Sequence, residues 1–140
     1  MNVAFAVFAD AANNTQNGKL NLLGVFQTLH TIAVPCVVPR MSIVIVLRAE
    51  LGEKGSEHSI TIRIRDADGR EITQLPTLPP VKVPLQDPRP NPEINMILEL
   101  NNSVFEHFGQ YAFEVWVDGQ WKHTLELIVE PIVLPPEQLA

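Results

Sequence analysis

The chain has 140 residues, the size of one domain, and its single cysteine excludes both an intramolecular disulfide framework and a zinc ribbon. Ten Lys and Arg against 16 Asp and Glu give a formal charge of −6, the wrong sign for gripping nucleic-acid phosphates. No apolar run approaches the roughly eighteen residues of a membrane span, and the lone Cys36 suits a reducing, cytoplasmic setting.

From the N-terminus, Val3 to Ala9 is apolar and the small residues Ala9, Ala11 and Ala12 follow, superficially like a secretory leader. A leader needs a basic start, yet the first Lys or Arg is Lys19. The expectation is a first strand instead, with Val3, Phe5 and Val7 on one face and Ala4 and Ala6 on the other. Asn17-Gly18 marks a turn, and Gly24 inside an apolar run signals a bulge or a close backbone approach. Met41 to Arg48 is apolar on both faces for most of its length, the pattern of a central, doubly covered strand. His58 to Arg65 alternates strictly, with Ile60, Ile62 and Ile64 inward and Thr61, Arg63 and Arg65 outward. Residues 94–100, 111–117 and 121–129 are further strand-length runs, and Ser103 is placed to cap a single helical turn through His107.

Two reversals can be assigned by register. At Asp118-Gly119, a two-residue loop sets Val115 opposite Lys122 and Phe113 opposite Thr124, a core residue against a polar one each time. A three-residue loop, Val117-Asp118-Gly119, pairs Val115 with Trp121, Phe113 with His123 and Tyr111 with Leu125. Slipping by one residue swaps every face, so burial selects the longer loop with Gly119 in the left-handed position. Trp121 then points inward, and Trp116 outward beside Glu114 and Gln120. The same argument predicts the loop Ala67-Asp68-Gly69, with Ile64 opposite Ile72. Its D-x-D-G also opens calcium loops, but the twelfth position from Asp66, where a closing Glu belongs, holds Thr77. A structural turn is expected.

Gly109-Gln110-Tyr111 resembles a tyrosine corner, whose phenol bonds back to the chain a few residues upstream, here near His107. Prolines at 76, 79, 80, 84, 88, 90 and 92 mark residues 76–92 as an edge or crossover, with a brief pairing at Val81 and Val83. Pro76 to Pro79 also fits a P-x-x-P docking pattern, for which a rigid crossover is the simpler account. Together these features predict one all-β domain over residues 1–130, with residues 131–140 as a tail. The expected architecture is a two-sheet Greek-key sandwich of about seven to nine strands, immunoglobulin-like in layout.

Charge is unevenly spread. Only Asp10, Lys19 and Arg40 are charged among the first 40 residues, where average composition gives about ten. The plainer reading is two well-covered strands. The sharper one is a surface that meets another subunit, with Leu23, Val25, Phe26 and Leu29 as candidates. Ile132, Val133 and Leu134 in the tail join them, because a run of aliphatics after a last strand docks somewhere.

Ala9-Asp10-Ala11 followed by Gly18-Lys19-Leu20-Asn21-Leu22-Leu23-Gly24-Val25-Phe26 resembles the opening of a family of short, uncharacterised bacterial all-β proteins. Their pattern continues through a Pro-containing stretch, a D-x-D-G turn and a final G-x-Y-x-F-x-V hairpin. The resemblance supports the fold and implies no activity.

Candidate chemistry is thin. His30, His58, His107 and His123 lack metal-ligand spacing, although His58 and His123 fall on inward faces and can approach across a sandwich. Ser42 and Ser59 have no nucleophile elbow, and Cys36 in apolar sequence reads as a small buried hydrophobe. No catalytic, metal or cofactor site is expected. The reading is a non-catalytic binding or assembly module, partnered by itself or by a larger complex, without nucleic acid or membrane. The alternative is a small-ligand or carbohydrate-binding module stacking its ligand on Trp116.

Overall fold

The computed structural model describes residues 1–75 and 78–133, with Thr73 and Gln74 described by backbone alone. The strands are β1 (Asn2–Asn14), β2 (Leu20–Phe26), β3 (Thr28–Thr31), β4 (Cys36–Arg48), β5 (Glu57–His58), β6 (Ile60–Arg65), β7 (Glu71–Gln74), β8 (Val81–Lys82), β9 (Glu93–Phe105), β10 (Gly109–Val117) and β11 (Gln120–Pro131). One sheet has the order β2-β1-β4-β9 and the other β3-β11-β10-β6-β7, with a small β5-β8 pair beside them. The all-β sandwich is as expected, with eleven strands rather than seven to nine; the surplus comes from the short pieces β3, β5 and β8. Residues 103–105, expected to begin a helical turn, instead complete β9, where Phe105 is buried and pairs with Cys36.

In the two sheets β9 returns beside β4 and β10 beside β6. As expected, β4 is the central strand, bonded to β1 on one side and β9 on the other over residues 42–48. Its Met41, Ile43, Ile45 and Leu47 face Ile60, Ile62 and Ile64 of β6, Tyr111, Phe113, Val115 and Val117 of β10, and Leu125, Leu127 and Val129 of β11 in one core. Phe8 joins from β1, edge-on to Phe113 with ring centres 4.9 Å apart. The tyrosine corner forms where the sequence places it. Tyr111 Oη donates to the His107 carbonyl at 2.9 Å and accepts from the His107 N–H at 3.1 Å, fixing the loop that enters β10.

Three bulges separate the observed faces from simple alternation. Val3 pairs with Leu47 and Phe5 with Val46, so Ala4 is the extra residue. Beyond it Ala6 and Phe8 turn to the core while Phe5 is exposed, reversing the expected faces of this strand. The Asp66 turn has the expected three-residue loop, with Gly69 at φ 79° and the Asp66 carboxylate accepting from the amides of Asp68 and Arg70. A bulge at Ile72 then sets Ile64 opposite Thr73, not Ile72. At the last hairpin the loop is the two-residue Asp118-Gly119, both residues with positive φ, and Val117 pairs with Gln120. A bulge at Lys122 follows, so Val115 faces His123 and Phe113 faces Leu125. The bulge lets the favoured Asp-Gly turn and the buried alternation coexist, which neither unbulged loop allows. Trp121 consequently lies opposite Trp116 on the outer face and is 57% exposed, not in the core.

Past Ala9 the β1–β2 hairpin leaves β4 and crosses the outer face of its own sheet. Its turn sits beside β9, where Asn95 Nδ2 donates to Asn14 Oδ1 at 3.2 Å and to the Gly18 carbonyl at 3.0 Å. Ser42, Val44 and Val46, which point away from the main core, are buried on this face. The Asn17-Gly18 turn is present, with Gly18 at φ 78°. Opposite Asp10 lies Gly24 at φ 67°, and the Asp10 carboxyl fills the space where a Cβ on residue 24 would go, only 2.2 Å from Oδ2. Part of the uncharged first third is therefore the covering of β4 rather than open surface.

In the proline-rich stretch a brief edge pairing forms at Val81 and Lys82, with His58 and Glu57, rather than at Val81 and Val83. Pro76 and Thr77 of the P-x-x-P match lie outside the described residues. Among the described residues there is no helix long and apolar enough to cross a membrane.

Candidate functional site

The densest polar cluster surrounds His58, at the strand end that meets the Asp118-Gly119 turn. His58 is buried, and its Nδ1 lies 2.6 Å from Asp118 Oδ2 while Nε2 lies 2.7 Å from Ser56 Oγ and 3.2 Å from Glu53 Oε2. The other Asp118 oxygen accepts from the Ser59 N–H at 3.0 Å, and the Asp118 N–H donates to the Ser59 carbonyl at 2.9 Å. Glu53 in turn accepts from the Met1 ammonium at 2.8 Å and the Glu50 amide at 2.6 Å.

Aspartate, histidine and serine in this sequence of contacts resemble a nucleophile triad, so the proton positions decide their chemistry. The Ser56 hydroxyl donates to the Glu53 carbonyl, an atom that can only accept. Nε2 faces that hydroxyl oxygen and the Glu53 carboxylate, and Nδ1 faces the Asp118 carboxylate. The adjacent amides are also engaged, Gly55 to the Val83 carbonyl and Ser56 to the Glu53 carbonyl. The cluster is a clasp joining the chain start, the 50–58 segment and the last hairpin.

The hydrogen bond from His58, then that from Ser59, holds the Asp118 carboxyl below the usual aspartate range. For Glu53, burial pushes the carboxyl up, but the bonds from Met1 and Glu50 and the nearby positive charges outweigh it and leave it lowered. A lowered folded pKa contributes stability that is present above the unfolded value, near 3.8 for Asp118, and disappears as pH falls through the folded value. We expect Asp118→Asn, which retains a residue type tolerant of positive φ, to cost about 1 kcal/mol at neutral pH and to flatten the acid limb of the stability curve. Urea melts from pH 7 down to pH 3 measure both effects.

The predicted surface residues separate into two groups. Leu23 and Val25 on β2 are 70% and 56% exposed. Phe26 and Leu29 instead pack against the core, Phe26 stacking on Phe8 at 5.9 Å. Ile132 and Val133 are exposed, with the Ile132 N–H bonded to the Thr31 carbonyl, and Leu134 lies outside the described residues. Trp116 is half-buried: the Arg63 guanidinium lies 4.4 Å over its ring and its Nε1 donates to Glu114 at 3.2 Å. One face of the Trp116 ring is thus covered, and the more exposed indole is that of Trp121, whose Nε1 donates to Thr124 Oγ1 at 2.8 Å.

Val25 also lines a groove of about 450 Å³ between the two sheets, with Val7, Phe8, Phe26, Thr124 and Leu125. The groove exists because β3 runs parallel to β11 only from Ile128 to Pro131. Among the described residues no strand pairs with that edge of β11 before Ile128. Sequence reasoning missed both this open edge and the His58 clasp. The clasp joins residues 60 positions apart, and its only local signal is the Ser56-x-His58 spacing. His58 and His123 do not join in a metal site, and among the described residues no three His, Cys, Asp or Glu side chains gather as metal ligands.

Residues 4–130 match the model of a family described as a family of unknown function, DUF6941. No curated protein and no solved structure matches the chain.

Proposed function

The chain belongs to DUF6941, and on that premise we propose that it acts as a non-catalytic assembly module that associates with itself. The observation that carries this reading is the side of the sandwich where an unpaired stretch of β11 adjoins exposed Val25 and, toward the hairpin, exposed Trp121. Unpaired strand edges are templates for pairing with another chain, and large exposed aromatics mark interaction surfaces. The strand order supports an immunoglobulin-like layout, because β11-β10-β6-β7 and β4-β9 reproduce its two sheets. Domains of that layout serve widely as adhesive and assembly units; this is an analogy of fold alone. The engaged Ser56 hydroxyl supports the non-catalytic part.

Sedimentation velocity across a hundredfold dilution tests the proposal. A concentration-dependent shift from monomer to dimer or larger species is expected, and a single monomeric species up to about 100 µM overturns it. The ligand-binding alternative moves from Trp116 to Trp121 and predicts glycan-array binding abolished by Trp121→Ala.

A further inference from the structure

We propose that Arg63, Trp116 and Trp121 form a platform for a carboxylate-bearing sugar, of the hexuronate class, on the outer face of the β3-β11-β10-β6-β7 sheet. This inference rests on the ligand-binding alternative above, names the chemistry of its ligand, and is independent of self-association.

Register puts the three side chains in a row across three neighbouring strands. Trp116 of β10 stands opposite Thr61 of β6 on one side and Trp121 of β11 on the other. Arg63 is two residues from Thr61 and so shares its face. Both indoles are pinned, and both lean the same way. Trp116 Nε1 donates to Glu114 at 3.2 Å and Trp121 Nε1 to Thr124 at 2.8 Å, and Glu114 and Thr124 are themselves partners across the ladder. The Arg63 guanidinium, 4.4 Å from the centre of the Trp116 ring, closes one end of the row. The exposed ring of Trp121 is the other end.

Arg63 is the charge without a counterpart. Its Nε is buried with no hydrogen-bond partner, and among the described residues no carboxylate pairs with its guanidinium. Glu114 lies opposite it on β10, yet Glu114 Oε1 is committed to Arg65 Nε at 3.0 Å and to the Trp116 indole. Stacking on the indole fixes the plane of the guanidinium, and with Nε covered its terminal nitrogens are the open end of the fork. A planar fork of N–H donors matches a carboxylate, which it holds by two parallel, charge-assisted bonds. Along the row, the apolar face of Trp121 suits the C–H face of a sugar ring, and its polar edge is already satisfied by Thr124. The chain's charge of −6 works against a polyanion. A single carboxylate on an otherwise neutral ring is the ligand that fits.

Trp116 and Trp121 are the two tryptophans of the chain, so their indole N–H resonances report on this platform alone. Methyl glucuronide should shift both, with a Kd of about 1–10 mM. Methyl glucoside, the ring without the carboxylate, and acetate, the carboxylate without the ring, should each bind at least about tenfold more weakly. Arg63→Met, which keeps an apolar stem over Trp116 and removes the fork, should bring glucuronide down to the glucoside level, with thermal melts confirming that the fold persists. Equal binding of the two sugars by the wild type, or a glucuronide preference that survives Arg63→Met, overturns the carboxylate assignment and leaves sugar stacking on Trp121 standing. Acetate bound as tightly as glucuronide overturns the sugar and makes the fork a site for carboxylates at large, protein termini included. No shift with either sugar at about 50 mM overturns this inference and the ligand-binding reading together.

Discussion

Phe113→Ala should cost about 3–5 kcal/mol, lowering the denaturant midpoint sharply with little change in slope. The ring is buried at the centre of the sandwich, where it meets Phe8 edge-on and sits between Ile64 of β6 and Leu125 of β11 in neighbouring ladders. Its removal opens a cavity bounded by three strands that cannot move together without breaking backbone bonds, so little of the lost volume is recovered. Phe5→Ala supplies the contrast. The same truncation on a residue turned outward by the Ala4 bulge should cost under about 1 kcal/mol. Equal losses at the two positions would mean that the faces of β1 are assigned the wrong way round.

Gly24→Val should be the second most damaging of these changes, at about 2–4 kcal/mol. A β-branched residue at φ 67° is strained, and its Cβ would overlap the Asp10 carboxyl at 2.2 Å. The two contributions separate by a double-mutant cycle. Asp10→Ala/Gly24→Val should recover the steric part, about 1 kcal/mol, and leave the backbone strain. Strict additivity, measured by urea denaturation, would show that Asp10 does not occupy that space. The cycle also gives a physical reason for the Asp10 and Gly24 pairing within the opening sequence pattern: one residue supplies the side chain for both.

Much of the fold was legible because hydrophobic alternation is a local property. The isoleucines of β6, the doubly covered β4 and the phenol of Tyr111 all behave as their neighbours in sequence imply. Bulges defeat that logic. One extra residue at Ala4 or Lys122 reverses every face beyond it, which is why Phe5 and Trp121 lie outside when alternation places Trp121 within. Sequence gives two loop lengths to choose between at Asp118-Gly119; the chain takes the shorter and corrects its register a few residues later. The candidate site was less legible still. Whether Val25 lies beside an open edge depends on where β3 stops pairing with a strand about a hundred residues away, and His58 finds Asp118 only once two hairpins have docked. These are properties of topology, carried by no short motif.

The pairing of β3 with β11 also bears on how the protein comes into being. A nascent chain that has left the ribosome only through β9 already displays the apolar β4 and its flanks, but lacks Tyr111, Phe113, Val115, Val117, Leu125, Leu127 and Val129, seven of the 19 buried core residues. Until then, of the facing sheet's buried residues only Ile60, Ile62 and Ile64 are present to cover β4. Assembly of the native state is therefore a late, largely all-or-none event after translation of β11, with the slow kinetics of long-range strand pairing, and the interval before it is when chaperone protection counts most.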